Sequence, residues 1–478
     1  MLAAVCGLLV ACGADGGTGQ SSAPLSSDPQ VAPATRGAGT PPRPASGWPA
    51  AGRDARHSSA TSAVGPTTSA LRWKRDLGGN LTPGPVIGGD GSVLAADNSG
   101  VLYALDPATG SVRWHFNGGS SYGSDLSTSP AVTSAGTILW PGPANTLYAL
   151  TAAGEQLWTQ PFTDPVLSPA VAAGGRVYVA DMGGHLTALD VDGSHHRTLW
   201  SLRVGGGVDY ASPTVGPDGT IYTASGNTVA AVRDLGTTAA VSWKRTVRAL
   251  IEVSNGVSPD GIIVVGTNGD REYGLDANGR TSWSLNIGDY TYSSSTVAAD
   301  GTAYFGDNMG RLHVIDSRTG AVEQTIAPLG AGNEKIWTSA ASDAAGNFYW
   351  GTTAGNIYGY RRDGTQLFHL AVGSPIDGYP AIAADGTLYV GSTAGTLYPI
   401  GGTRPSRPAS TAPPRESRPL PAAARPAGSP LRHRDRVDPG RPGQDITKTV
   451  SVPRRLLHYS AGVDAGSADP ATRPGAAA

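Results

Sequence analysis

The sequence predicts an all-β fold, an eight-bladed β-propeller of four-stranded antiparallel blades whose last blade is closed by an N-terminal strand around Trp73. Three observations predict it. A turn glycine recurs eight times, at Gly91, Gly136, Gly175, Gly219, Gly261, Gly301, Gly346 and Gly386. A third-strand motif recurs behind it: VLYALD at 101–106, TLYALT at 146–151, HLTALD at 185–190 and RLHVID at 311–316. The fourth strand then carries an aromatic, Trp114, Trp158, Trp200, Trp243, Trp283 or Phe368.

The unit at 84–116 shows the elements in order. Pro85-Val86-Ile87 is a short strand, and Asp90-Gly91 turns it into Val93-Leu94-Ala95-Ala96. Asp97-Asn98-Ser99-Gly100 leads into Val101–Leu105, and Asp106–Gly110 into Val112-Arg113-Trp114. Glycine-bearing turns between short apolar runs mark hairpins. The spacing of the turn glycines, 39 to 45 residues, is that of a four-stranded blade. The sixth unit has Gln324 where the others have an aromatic.

The eighth unit stops after its third strand, TLYPI at 396–400, while Leu71-Arg72-Trp73-Lys74-Arg75 precedes the first unit as a fourth strand without an owner. Joining the two closes the ring and leaves no free edge.

Composition narrows the function. Residues 403–478 hold 13 Lys/Arg against 6 Asp/Glu, which leaves 22 against 31 in residues 1–402. An acidic body disfavours a nucleic-acid partner. Both cysteines, Cys6 and Cys12, lie at the extreme N-terminus, so the body has no disulfide, thiolate metal site or cysteine nucleophile. Asp190-Val191-Asp192-Gly193 reads as a turn rather than a calcium loop, and His195-His196 as solvated residues of that turn.

Ala104-Leu105-Asp106 with Thr109-Gly110, followed by Trp114, resembles the tryptophan-docking repeat of the pyrroloquinoline-quinone-like propellers, over about residues 70–401. Gly47-Trp48-Pro49 and the following Gly52–His57 are similar to the lead-in before the first blade of that family. The resemblance implies that Trp73, Trp114, Trp158, Trp200, Trp243 and Trp283 dock each blade on its neighbour. It implies two activities of different kinds. Lipoprotein members that serve outer-membrane β-barrel assembly bind polypeptides on the propeller face. Quinoprotein dehydrogenases of the family bind pyrroloquinoline quinone and Ca²⁺ and oxidise alcohols or sugars. Many of the latter carry a vicinal disulfide and long insertions, and this chain has neither. The expectation is a non-enzymatic envelope scaffold with no cofactor; the alternative is the quinone- and Ca²⁺-dependent dehydrogenase.

In an up-and-down blade the blade-to-blade loops share one face with the turns between second and third strands. Seven such loops carry an acid: Asp125, Asp164, Asp209, Glu252, Asp289, Glu334 and Asp377. The loop before the first unit has Asn80 instead. Asp97, Asp181 and Asp307 join them from the turns, and Tyr122, Tyr210, Tyr290, Tyr292, Trp337 and Tyr379 are interleaved. One reading is an anionic, aromatic-rimmed mouth for a cation, a basic peptide or a glycan. The other is that the acids cap backbone amides in their own turns.

The ends differ from the body. Leu2–Ala11 is too short to span a bilayer, which takes about 20 residues. Leu9-Val10-Ala11-Cys12 resembles a bacterial lipobox, which implies lipidation of Cys12 and export to the outside of a membrane. An unmodified Cys12 in an ordinary cleaved signal is the alternative, and no positive charge precedes the run. The expected organisation is a signal at 1–12, a disordered tether at 13–47, the propeller at 48–402 and a disordered basic tail at 403–478, the whole acting as a monomer. The tail reads either as a contact for anionic lipid or wall polymer, or as an out-of-frame product of GC-rich DNA. A chain ending at residue 402 should keep the melting temperature of the full chain, checked by calorimetry, because the ring is complete without the tail.

Overall fold

The computed structural model describes residues 47–119, 128–172, 175–205, 211–327 and 334–402. The signal, the tether up to residue 46, Asp125, Tyr122, Asp209, Tyr210 and the tail lie outside them. The described residues form eight four-stranded antiparallel sheets, each in simple up-and-down order. Blade 1 is Val86–Ile87, Val93–Ala96, Val101–Leu105 and Val112–Asn117. Blade 8 is Ala381–Ile382, Leu388–Gly391 and Thr396–Ile400, completed by Arg75–Asp76.

The closure copies the other blades in detail. In blades 1 to 7 the register between third and fourth strands slips by one residue at the same place, Ala104/Leu105 in blade 1. Arg75 pairs with Leu397, but Leu71 bridges Ile400, which is the same slip. Such a bulge increases the local twist of the outer strand.

Burial follows position in the blade. The second strand of blade 1, Val93–Ala96, is buried throughout because neighbouring blades cover both its faces. Its fourth strand is exposed or half-buried at each residue. The apolar cores therefore lie between blades, as where Trp140, Ile138 and Leu150 of blade 2 meet Leu94 and Leu102 of blade 1. Each such fully buried side chain contributes about 1.5–3 kcal/mol.

The outer ring is locked by a repeated tryptophan contact. The indole nitrogens of Trp73, Trp114, Trp243 and Trp283 donate to Pro107, Ala152, Ala277 and Ser317 carbonyls of the next blade at 3.0, 2.9, 2.8 and 2.8 Å. The ring lies on a glycine of the same turn. A Cβ on Gly110, Gly154, Gly279 or Gly320 would come within 2.5–2.6 Å of the indole. Where Gln324 replaces the tryptophan, its amide meets Gly364, the matching glycine. Two blades vary the contact. Trp200 donates to the Asp234 carboxylate at 2.9 Å. Trp158 reaches the Gly193 carbonyl at 3.3 Å and stacks on His196, centroids 3.9 Å apart, so His196 is a packing residue while His195 stays solvated.

The lead-in closes one end of the channel. Backbone carbonyls of Pro49, Ala55, Arg56 and Ser59 accept from Val132, Val215, Val257 and Ser342, at the ends of the inner strands of blades 2, 4, 5 and 7. Trp48, 1% exposed, bridges Ile87 of blade 1. Asp54 ties this segment together, accepting from the Arg56 and Ser58 amides and from the Ser58 hydroxyl. Residues 48–61 thus form a floor across the channel on the Asp-Gly turn side.

All eight Asp-Gly-type turn glycines have φ between +77° and +89°. Gly91→Ala should cost about 1–2 kcal/mol, the price of the left-handed backbone alone, since nothing lies within 4 Å of the new Cβ. Gly279→Ala adds a clash with Trp243 to the same backbone cost and should lower stability by clearly more. Parallel urea melts check this.

Candidate functional site

The end opposite the floor is built from the blade-to-blade loops and the turns between second and third strands. A serine layer lies beneath them. Ser129, Ser168, Ser212, Ser254, Ser294 and Ser339 occupy one position, two residues before the inner strand. The Ser168, Ser254 and Ser294 hydroxyls accept from the preceding blades' Ser129, Ser212 and Ser254 amides, each at 3.0 Å. Blade 8 places Tyr379 at this position. Its hydroxyl meets the Ser294 hydroxyl of blade 6 at 2.9 Å, passing blade 7. Gly84 leaves room for it, since a Cβ there would lie 2.6 Å from Tyr379 Cβ. Tyr379 therefore lies inside the channel, below the rim. Burial raises its pKa.

The acids divide by environment. Asp97, Asp181 and Asp307 are buried, and each caps two amides of its own turn. Burial pushes Asp307 up, but His313 at 2.9 Å and Arg311 at 2.6 Å hold it below the usual range. Asp289 caps Tyr290 N at 2.9 Å. Glu334 accepts from Asn356 and, at 3.2 Å, from the Tyr358 hydroxyl. Glu252 accepts from Asn268 Nδ2 at 2.9 Å. Asp377 has a buried, unpartnered Oδ1, and desolvation raises its pKa to about 6. Asp164, Asp181 and His185 bring three ligand atoms within 4.8 Å of one another and could hold a divalent cation. His185 Nδ1 lies 3.3 Å from Asp181 Oδ1.

The aromatics gather on one sector. Tyr290 and Tyr292 stand edge to face at 5.4 Å, and Tyr292 and Trp337 at 5.6 Å. Trp337 donates to Asn308 Oδ1 at 2.7 Å, and Lys335 Nζ lies 5.4 Å from its ring centroid. A cleft of about 500 Å³, lined by Val64, Pro66, Leu71, Arg72, Asp385 and Gly402, lies on the floor side, away from these groups.

Glu272 was not among the expected site residues. It is fully buried at a third-strand position that holds Leu102, Leu147, Leu186, Val229, Leu312, Ile357 and Leu397 in the other blades. Ser295 donates to its Oε2 at 3.2 Å, and Oε1 has no partner. A Cβ on Gly266 would touch Glu272 Oε1, Val253 and Thr291 together, so the carboxyl sits beneath the loops that carry Glu252, Tyr290 and Tyr292. The signal was in the sequence: the fifth motif reads EYGLD at 272–276, with Glu272 where the others have Leu, Val or Ile.

The family model for the outer membrane protein assembly factor BamB matches residues 57–124, 118–207 and 195–351. The chain belongs to this family. Among solved structures, BamB from Moraxella catarrhalis is similar at 17% identity and TM-score 0.52, covering 69% of this chain and 96% of that one. Quinohemoprotein alcohol dehydrogenase from Comamonas testosteroni is similar at 14% identity and TM-score 0.59, covering 76% and 81%. A europium-containing methanol dehydrogenase is similar at 14% and 0.57, covering 73% and 90%. At these identities the likeness is one of fold. A search of curated protein sequences gives no match.

The dehydrogenase neighbours make a quinone the group to test against this BamB-family channel. Pyrroloquinoline quinone is a planar tricarboxylate. Tyr379 reaches from blade 8 to Ser294 of blade 6 at the serine layer, and Glu252, Asp289, Glu334 and Asp377 would repel the quinone's carboxylates at the mouth. The described mouth acids disfavour it.

Burial pushes the Glu272 pKa to about 8, against 4.5 for the free side chain. The folded state thus holds a proton that the unfolded state releases, so stability falls as pH rises from about 4.5 to 8. Glu272→Leu should raise the melting temperature at pH 8 and do so much less at pH 5; a pH series of thermal melts checks this.

Proposed function

We propose that the protein is a non-enzymatic scaffold of the cell envelope that holds a polypeptide on the open mouth of its propeller. The observation that carries this reading is the closed channel. The floor at residues 48–61 covers one end of the channel, and Tyr379 narrows it at the serine layer beneath the acid- and aromatic-lined face. Shallow polar faces with aromatic anchors suit macromolecular partners, whereas small-molecule sites are concave and largely enclosed. Membership of the BamB family supports the same reading.

Lipidation at Cys12 belongs to the same proposal. The chain enters the propeller at Trp48, on the floor side, so a tether from Cys12 would attach at the end opposite the mouth. The ring works as a monomer, with the partner supplied by the envelope.

A photo-crosslinking residue at position 289, on the mouth, should give discrete adducts in envelope preparations; one at position 218, in a floor-side turn, should not. With the crosslinker at position 289, the double variant Glu252→Gln and Asp377→Asn should weaken the mouth adducts. Because Asp377 ionises near pH 6, capture of a basic partner should strengthen as pH rises through that value. Equal crosslinking from both faces defeats the reading. So does calorimetric binding of pyrroloquinoline quinone with Ca²⁺ joined to dye reduction by alcohols, which would establish the dehydrogenase instead.

A further inference from the structure

The mouth is not uniform. Nine large apolar side chains are exposed among the described residues, and three of them, Leu250, Tyr292 and Met309, lie on the mouth loops of blades 5 and 6, Tyr292 against Trp337. They are 47%, 37% and 54% exposed. The others are scattered over outer strands, outer turns and the floor side. Large apolar groups gathered on one exposed sector mark an interaction site.

This sector is also held in place before any partner arrives. Trp337 is fixed through Asn308, whose own amide donates to the Tyr290 carbonyl at 3.3 Å. Asn268 links the two sides of the blade 5 loop, donating through its backbone to the Leu250 carbonyl at 2.7 Å and through its side chain to Glu252. Tyr290, Tyr292 and Trp337 meet at interplanar angles of 81° and 85°, which makes a stepped corner rather than a flat wall. Ordered Trp and Tyr side chains dominate binding energetics because little freedom remains to be lost.

We propose that this corner anchors a large apolar side chain of an extended, basic polypeptide. The inference rests on the scaffold reading above and names its subsite and the class of partner. Charge decides the sign. Glu252 and Asp289 flank the two tyrosines, and the body of the protein is acidic. The Lys335 ammonium already uses the Trp337 ring as a cation–π partner, and an arriving guanidinium would do the same on the tyrosine faces. Met309 adds a flexible surface that adapts to different side chains. A sugar ring stacks on an open, flat aromatic face. Here the rings stand across one another and Lys335 covers Trp337, so a side chain fits better than a pyranose.

The test is titration calorimetry on the full chain with three probes: a twelve-residue peptide alternating Arg and Leu, its Glu–Leu counterpart, and maltohexaose. The Arg–Leu peptide should bind, more weakly at higher salt, and Tyr292→Ala or Met309→Ser should each reduce its affinity about tenfold, the scale of a hot-spot truncation. Circular dichroism confirms that these exposed-site variants fold. Equal binding of the Glu–Leu peptide overturns the charge assignment, and tight binding of the oligosaccharide overturns the partner class. Peptide affinity unchanged in both variants, or no peptide binding at all, overturns the corner as the subsite. The scaffold reading survives either result if position 289 still crosslinks selectively, and falls with it if the crosslinks are absent too.

Discussion

The pairing of Arg75–Asp76 with Thr396–Leu397 is the constraint on which the rest depends. It joins segments more than three hundred residues apart, so it is among the last contacts the folding chain can make, and its loop-closure entropy must be offset by everything formed before it. Without it the third strand of blade 8 would be an exposed edge, and Trp73 would have no route to the Pro107 carbonyl of blade 1. The one-residue slip shared with the other blades sets the orientation of the strand. It brings Trp73 to the same station as Trp114, Trp243 and Trp283. One pairing thereby fixes the ring, the shared face of the loops and the position of every group on the mouth.

The repeating parts were legible because each rests on a local rule. The eight turn glycines sit where φ is positive, and the tryptophans fall where a neighbour's glycine leaves room. Even the imperfect copy was informative, since Gln324 takes the tryptophan's place over Gly364. The floor was harder to read. It is attached mainly through backbone groups of Pro49, Ala55, Arg56 and Ser59, and backbone bonding leaves no side-chain signature. Tyr379 was visible as a mouth aromatic, but its reach to Ser294 depends on how far the channel narrows, which no spacing reports. The turn acids show why residue type alone misleads. Asp97, Asp181 and Asp307 share the face of the mouth acids yet are bound up in their own turns.

The mouth reconciles rigidity with recognition by dividing the labour between layers. Serine hydroxyls and Tyr379 knit the layer below, while Asn268 and Asn308 brace the loops above. Glu272 and Ser295 sit between them as a polar pair in an otherwise apolar position, one carboxyl oxygen unmatched. Buried polar groups of this kind usually cost stability, and here the cost falls directly under the aromatic sector.

The lead-in also has a mechanical meaning. A pull on the chain ahead of residue 48 would not load the blades at once. It would reach the Trp48–Ile87 bridge first, then the Pro49, Ala55, Arg56 and Ser59 contacts one after another, small contacts opened in sequence rather than a row sheared together. The floor would peel while the ring, tied separately through residues 71–76, stayed whole. The lead-in is thus a strain relief, and a pull from this end would be spent before it disturbed the opposite face.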